Sequence, residues 1–289
     1  MKITLITVCR NAAPVIAETL LSAIDQQHRD LELIVIDGAS TDGTVGILRE
    51  LEQRVNSAPP QGLLKGTLRD RSAAGSPRAS GDPADVSRSG DPAKVSMILV
   101  SEPDKGIYDA MNKGLRLATG EVIGFLNAGD LLMDSGVIGK VAAAFDRSEV
   151  EAVYGDIIMV DEHDIHKVHR TWRSSGYDRS DFRRGWMPPH VATFIRNNVY
   201  DRFGHFNTDL RIGADYEILL RFLYKEKIHT VHLPEILVRF RLGGMSNGNL
   251  QQILQANREV RRSWGLNGLK APPLLVTRKL WSKVMQFFH

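Results

Sequence analysis

The chain opens with a β-branched run, Ile3 to Val8, followed by a helical apolar period from Val15 to Gln26 and a second β run, Leu31 to Ile36. No other feature restricts the fold as much, because two consecutive strands joined by a helix lie parallel, with a right-handed crossover. Loops 9–14 and 37–44 then share one edge, the carboxyl edge where open α/β sheets take their ligands. In the second loop, DGASTDG from Asp37 supplies Asx and Ser side chains for turns and a cap for a helix over Thr44 to Arg54. No G-x-G-x-x-G follows the first strand, which argues against a dinucleotide-dependent oxidoreductase.

The alternation resumes after an interruption. Residues Asn56 to Ser96 are rich in Pro, Gly, Ser, Asp and Arg, and SGDPADVSR (Ser80 to Arg88) is followed directly by SGDPAKVSM (Ser89 to Met97). This composition predicts a disordered surface insertion, and two copies of nine residues do not make a solenoid. Beyond it the pattern predicts strands at Met97 to Val100 and Glu121 to Leu126 around a helix over Gly106 to Ala118. It then predicts a helix at Val137 to Phe145, strands at Ala152 to Tyr154 and Ile157 to Val160, and a polar stretch to Arg184. A strand at Val191 to Arg196, a helix at Asp215 to Lys225 and a strand at Thr230 to Leu233 follow.

Composition narrows the class. The 289 residues are 43% hydrophobic and 25% charged, enough for one large core. A net charge of +3 is too weak a field to make nucleic acid the expected partner. The single cysteine, Cys9, has no intramolecular disulfide partner, and the first residues lack a signal-peptide pattern, so the cytoplasm is the expected compartment. No run of about 18 apolar residues predicts a membrane span. The last forty residues mix Arg and Lys with Trp264, Leu274, Leu275, Leu280, Trp281, Phe287 and Phe288. Two readings stay open for them: a packing helix, or a basic amphipathic anchor at the inner face of the plasma membrane.

Two carboxylates stand out by position. Phe125 to Asp130 ends a hydrophobic strand in Asn127 and Asp130, which read either as a turn or cap after the strand or as oxygen donors of the kind Mg2+ or Mn2+ prefers. Asp215 falls at the start of a predicted helix, where a carboxylate by itself reads as an N-cap.

The segments ITVCRNA, VIDGASTDGT, SEPDKGIYDAMNKGLRLATGEVIGFLNAGD, VYGDI, PPHVATF, FGHFNTDLRIGADYEILLR and FRLGGMS together resemble the family 2 glycosyltransferases. GIYDAMNKG is unusually specific within that family and looks most like the branch of colanic acid fucosyltransferases and similar exopolysaccharide or lipopolysaccharide transferases. The resemblance implies an α/β chain of the GT-A fold, a Rossmann-like open mixed sheet flanked by helices. It covers residues 1–250 as a single domain with a C-terminal helical extension, 251–289. It implies an inverting transferase that moves a sugar from a GDP- or UDP-sugar donor to a glycan acceptor, commonly lipid-linked. The alternative is a nucleotide-sugar-binding protein without turnover.

The resemblance also implies roles for individual residues. Thr7, Arg10, Asp37 and Ser40 fall where the family holds the nucleotide, and the Asp37 carboxylate suits a base N–H, which uracil and guanine both offer. Glu102, Asp104 and Lys105 line the ribose and phosphate side, joined by Asn127. Asp130 corresponds to the last acid of the DxD-like motif and would hold the metal, although Gly129 stands where many members have a second carboxylate. His190 is a candidate further metal ligand or phosphate contact, with a structural histidine as the equal alternative. Asp215 corresponds to the catalytic base. The Phe240 to Ser246 segment, with paired glycines and Ser, reads as a mobile loop closing on the diphosphate, where Arg239 or Arg241 would neutralise leaving-group charge.

Overall fold

The computed structural model describes residues 1–57, 94–174, 176–243, 250–273 and 275. The elements in chain order are β1 (Ile3–Cys9), α1 (Ile16–Ile24), β2 (Asp30–Asp37), α2 (Thr44–Ser57), β3 (Lys94–Ser101), α3 (Ile107–Leu117) and β4 (Val122–Phe125). Next come β5 (Leu131–Leu132), α4 (Val137–Ala144), β6 (Ala152–Val160), β7 (Val168–Trp172), β8 (Thr193–Arg196) and α5 (Asn197–Phe203). The described chain closes with α6 (Ala214–Leu219), whose last turns widen into a π-helix over Leu220–Lys225, then β9 (Thr230–Arg241) and α7 (Leu250–Leu266).

Among the described residues the strands form one nine-stranded sheet in the order β3-β2-β1-β4-β8-β6-β9-β5, with β7 on β6. The first four are mutually parallel, as the opening βαβ unit requires. The sheet then turns mixed, with β8 antiparallel to both β4 and β6, and β9 parallel to β6. This is the open α/β sheet expected from the sequence, flanked by helices on both faces.

Period-two alternation in the strands divides the core. Leu5, Leu33 and Val35 pack under Ile16 and Leu20 of α1, Leu48 of α2 and Val137 of α4. Ile6, Val8, Ile34 and Ile36 face the other way, onto Tyr108, Met111 and Leu115 of α3, Leu219 of α6 and Trp264 of α7. Helix α3 lies so close to β1 that a Cβ on Gly114 would stand 2.5 Å from Ile6 Cγ2.

Several boundaries differ from the sequence expectation. Helix α2 runs to Ser57 and β3 starts at Lys94, so the ends of the expected insertion belong to the fold. The Asn56 amide donates to the Met97 carbonyl at 2.9 Å and accepts from the Met97 amide at 3.1 Å. The stretch between, with most of the duplication, lies outside the described residues. The two short strands expected at 152–160 are one strand, β6, with register shifts around Tyr154 and Asp156. There Gly155 leaves the room that Leu237 fills, its Cγ 2.4 Å from where a Cβ would be. Strand β9 continues through Pro234, which normally argues against a strand interior, and reaches Arg241. Strand β7 was not foreseen, because its VHRTW sequence is exposed on most positions and shows no apolar run.

The described part of the C-terminal extension packs one face of α7 against the fold. Val260, Ser263 and Trp264 of α7 are buried, as is Leu275. The Trp264 indole N–H donates to the Tyr216 hydroxyl at 3.1 Å, and the ring meets Tyr224 edge-on at 4.9 Å. Leu280, Trp281, Phe287 and Phe288 lie outside the described residues. No described helix is long and apolar enough to cross a membrane.

At the edge opposite the ligand loops, Glu32 is buried and accepts from Lys2 Nζ at 2.8 Å, Thr4 Oγ1 at 2.6 Å and both the amide and hydroxyl of Thr119. Burial alone raises the carboxyl's pKa, but these donors outweigh it and bring it down to about 2. A depressed pKa stabilises the fold above the unfolded carboxyl's pKa, and that stability is lost as pH falls through the folded value. The ionised form is favoured by about 3 kcal/mol on this scale. Glu32→Gln should therefore lower Tm at pH 7, with the gap to the unaltered chain closing as thermal melts are taken from pH 5 toward pH 2.

Candidate functional site

The parallel register sets Cys9, Asp37 and Ser101 side by side at the carboxyl ends of β1, β2 and β3. The loops that leave these ends are tied to one another. Asn11 Oδ1 accepts from the Thr41 amide at 2.9 Å, and Ser40 Oγ accepts from the Asn11 amide at 2.7 Å. Asp42 accepts from the Ala13 amide at 3.1 Å and from the Thr44 amide at 3.1 Å, so it both clasps the first loop and caps α2. Asn11 and Ala39 hold φ of 51° and 55°, a left-handed backbone that side chains other than Asn or Asp rarely take.

Asp37 is fully buried. It accepts from the Ser40 hydroxyl, from the Ser40 amide at 3.0 Å and from Ser101 Oγ at 2.7 Å, with the Cys9 thiol at 3.7 Å. Burial pushes its pKa up, yet these donors hold it below the ordinary carboxylate range. The carboxylate thus helps build the loop from within. The same burial, with the Asp37 charge beside it, drives the Cys9 thiol far up, so it stays protonated. Thr7 is buried inside β1, whereas Arg10 is exposed at the rim and Ser40 half-buried. Arg10 and Asp104 crowd Gly38, whose added Cβ would meet Asp104 Oδ2 at 3.1 Å and Arg10 Cβ at 3.5 Å.

The GIYDAMNKG run has a structural task at nearly every position. Gly106 takes φ of 132°, open to glycine, and the Asp109 carboxylate accepts from the Lys105 amide at 3.0 Å as α3 begins. Tyr108 donates to the Ile212 carbonyl at 2.6 Å. Asn112 donates to the Phe206 carbonyl at 2.9 Å and accepts from the Phe206 amide at 3.0 Å. Lys113 reaches Glu102 at 2.7 Å, Asp104 at 2.6 Å and the Pro103 carbonyl at 2.9 Å. These contacts raise the lysine's pKa, so it stays charged and neutralises the two acids singled out from the sequence. Lys105 remains exposed at the rim.

The turn from Asn127 to Asp130 closes with the Asp130 amide donating to the Asn127 carbonyl at 3.0 Å, and Gly129 takes φ of 101°. Thr19 of α1 accepts from the Gly129 amide at 2.9 Å. Asp130 is 4% exposed, and among the described residues only the Arg241 amide donates to it, at 3.1 Å. Desolvation raises its pKa to about 8 despite the Arg241 amide and guanidinium. Asn127 Oδ1 is buried without a hydrogen-bond partner one turn away. A buried carboxylate short of donors and an unpartnered amide oxygen are hard-oxygen ligands of the kind a divalent cation takes, so these residues fit Mg2+ or Mn2+. Among the described residues no group of three His, Cys, Asp or Glu stands together so as to hold a metal ion.

Arg241 is not a free cation at a mobile loop. It ends β9, and its guanidinium donates to the Gly129 carbonyl at 3.1 Å, the Glu162 carbonyl at 2.9 Å and Glu18 at 2.6 Å. It latches the Asp130 turn, and only Gly244 to Ser246 of the expected loop lie outside the described residues. His190 sits in an aromatic cluster, its ring stacked on Phe125 at 5.2 Å and edge-on to Phe206 at 5.6 Å. Desolvation lowers its pKa to about 4, so it is neutral near pH 7. These ring contacts give His190 a structural role in the core below the site.

Asp215 is the second residue of α6, and the N-cap position falls on Gly213, which has no side chain to cap with. The carboxylate accepts from the Tyr216 amide at 2.7 Å. The loop leading to it is held along its length. Arg221 donates to the carbonyls of Phe203 at 2.5 Å and His205 at 2.7 Å, Asn112 holds Phe206, Tyr108 holds Ile212, and Glu259 of α7 accepts from the amides of 211–213. Lys113, Arg221 and Glu259 were not singled out from the sequence, because each makes its contacts across many residues of chain and carries no local signature.

Comparison with known proteins follows this geometry. The family profile described as Glycosyl transferase family 2 matches residues 4–61 and 75–208. A relative from Mycobacterium bovis, "PGL/p-HBAD biosynthesis glycosyltransferase", is 28% identical over 240 residues, 82% of this chain and 76% of the relative. The corresponding protein of Mycobacterium tuberculosis matches equally. The crystal structure of Staphylococcus aureus TarS 1-349 superposes with a TM-score of 0.59 at 15% identity, covering 97% of this chain and 71% of that one. The mannosyltransferase PcManGT from Pyrobaculum calidifontis, in complex with GDP-Man and Mn2+, superposes with a TM-score of 0.59 at 19% identity, covering 97% of this chain and 69% of that one. At these identities the structural likeness establishes the shared fold.

Proposed function

We propose, since the chain belongs to glycosyl transferase family 2, that it is an inverting glycosyltransferase with Asp130 on the donor side and Asp215 as the acceptor-side base. The observation that carries this is the Asn127–Asp130 turn, a buried, donor-poor carboxylate and an unpartnered amide oxygen at the carboxyl end of β4. A nucleotide sugar is the donor; TarS has been solved with UDP and with UDP-GlcNAc, and PcManGT with GDP-Man, which supports a UDP- or GDP-sugar here. The curated relatives named for PGL/p-HBAD biosynthesis support a lipid-linked glycan acceptor in surface-glycan synthesis more than the colanic acid branch suggested by GIYDAMNKG.

A divalent cation bound at Asp130 supplies charge neutralisation for the departing diphosphate. The chain's own residues do the rest. Arg241 and Thr19 keep the Asn127–Asp130 turn in place, and Lys113 keeps Glu102 and Asp104 from repelling an anionic ligand. Asp215 takes the proton from the acceptor hydroxyl as its oxygen bonds to the anomeric carbon, while the bond from that carbon to the phosphate oxygen breaks and its electron pair leaves with the nucleoside diphosphate. One displacement with no covalent intermediate inverts the anomeric centre. The proposal keeps a peripheral membrane contact for the outward side of α7, where Ile253, Leu254 and Leu266 are exposed beside Arg258, Arg261 and Arg262.

The two carboxylates should fail differently. Asp130→Ala should weaken Mn2+-dependent binding of UDP or GDP in calorimetric titration along with turnover. Asp215→Asn should leave that binding near normal while turnover in a nucleotide-release assay falls roughly a hundredfold, the scale of losing a general base. Unchanged turnover in Asp215→Asn would sink the base assignment. For the membrane contact, flotation with anionic and neutral vesicles should favour the anionic ones, and equal binding to both would remove it from the proposal.

A further inference from the structure

The family profile stops at residue 208, short of Asp215 and of α7, and the backbone around Asp215 is joined to α7 by direct contacts. Those contacts are concentrated on one stretch. Glu259 accepts from the amides of Arg211 at 3.2 Å, Ile212 at 2.8 Å and Gly213 at 2.8 Å, the backbone immediately before α6. Gln255, one turn earlier on α7, donates to Glu259 Oε1 at 2.9 Å and fixes the carboxylate from behind. One turn later Trp264 donates to the Tyr216 hydroxyl at 3.1 Å, and Asn267 donates to Glu217 Oε1 at 2.9 Å. Glu217 is in turn paired with Arg221 at 2.8 Å. Residues on both chain sides of Asp215 are thus gripped by the same helix.

The chemistry of the grip is that of an anion on aligned backbone donors. Glu259 is 8% exposed; burial raises its pKa, but the three amides and Gln255 outweigh this and hold it ionised, below the usual range. Hydrogen bonds from amides to a buried carboxylate are charge-assisted and about twice as strong as neutral ones. Gly213 permits the approach, since a Cβ there would lie 3.0 Å from Glu259 Cβ. On the opposite side Tyr108 of α3 donates to the Ile212 carbonyl at 2.6 Å, so the peptide planes before Asp215 are fixed from two directions. A helix that only covered apolar surface would need Val260 and Trp264 but not a carboxylate pointed at three consecutive amides.

We propose that α7 is a positioning device for the base: Glu259 fixes the 211–213 backbone and thereby sets where the Asp215 carboxylate stands toward the acceptor hydroxyl. The inference rests on the reading of Asp215 as base. Displacing a reacting group by about 1 Å costs up to a hundredfold in rate without changing donor binding, which is the signature that separates positioning from plain stability.

The test is a double-mutant cycle in the full chain, read by nucleotide release with the UDP- or GDP-sugar that the unaltered enzyme turns over. Glu259→Gln keeps the size but presents an NH2 group to backbone N–H donors. It should lower kcat by about tenfold while the KM for donor changes less than about twofold, because the loss is confined to the transition state. Placed on Asp215→Asn, the same substitution should change kcat by less than about twofold, since its effect passes through the missing base. Amide hydrogen exchange at 211–216 should accelerate in Glu259→Gln with Mn2+-dependent UDP or GDP binding preserved. If Glu259→Gln does not fold, Gln255→Met, which removes one bond to Glu259 from a half-buried position, should lower kcat a few-fold with the same non-additivity. A kcat unchanged in the variant that folds, or a full loss repeated on the Asp215→Asn background, overturns the positioning role. Wild-type turnover in Asp215→Asn alone overturns the base reading instead, and the two failures are distinct.

Discussion

Parallel pairing of β1 with β2 and β4, and of β2 with β3, is the constraint on which the rest of the molecule depends. It sends every one of these strands out at the same edge, with Cys9, Asp37 and Ser101 in one row and the Asn127–Asp130 turn beside them. That row would be a set of unpaired backbone groups and loose loops if nothing bound them together. The chain meets the requirement with short polar side chains: Asn11, Ser40, Asp42 and Thr44 bond across two loops, and Asp37 is buried to organise the second of them. Each buried donor or acceptor left without a partner would cost on the order of 1–3 kcal/mol, so this edge is polar inside and rigid.

Against that rigid edge the two carboxylates assigned to chemistry stand in contrasting settings. Asp130 is buried with a single donor from the described residues, an arrangement unfavourable to its charge unless a cation completes it. Asp215 stands at the start of a helix, where the aligned backbone dipoles favour a negative charge, and is supported by a loop pinned from α3, α6 and α7. The long segments between these elements make the site a product of the whole chain, and the C-terminal helix is part of it rather than an appendage.

Much of the fold was legible because it rests on local pattern. The βαβ opening, the helix over 107–117 and the strand before Asp130 follow from apolar periodicity and lie within a few residues of where they were read. What escaped is what periodicity does not carry. Strand β7 is half-exposed and polar, β9 runs through a proline, and α5 is too short to show a period. In the site, residue types pointed to positions at the sheet edge, but not to the contacts that hold them there. Asp37 and Arg241 read as ligand-facing groups, and both also make several hydrogen bonds inside the protein. Lys113 and Glu259 were not singled out at all, yet one neutralises two rim acids and the other holds three amides. Sequence spacing reveals the element that carries a side chain, whereas these contacts join different elements, about ten positions apart for Lys113 and more than forty for Glu259.

The central claim is that the Asn127–Asp130 turn is the cation end of a nucleotide-diphosphate site. Crystals of the chain grown with UDP or GDP and Mn2+ test it directly through the anomalous signal of manganese. The account predicts a peak at coordination distance, about 2.0–2.2 Å, from an Asp130 carboxylate oxygen, with the diphosphate as its other partner. Bound nucleotide with no manganese at Asp130, or a peak placed elsewhere along the sheet edge, would contradict it.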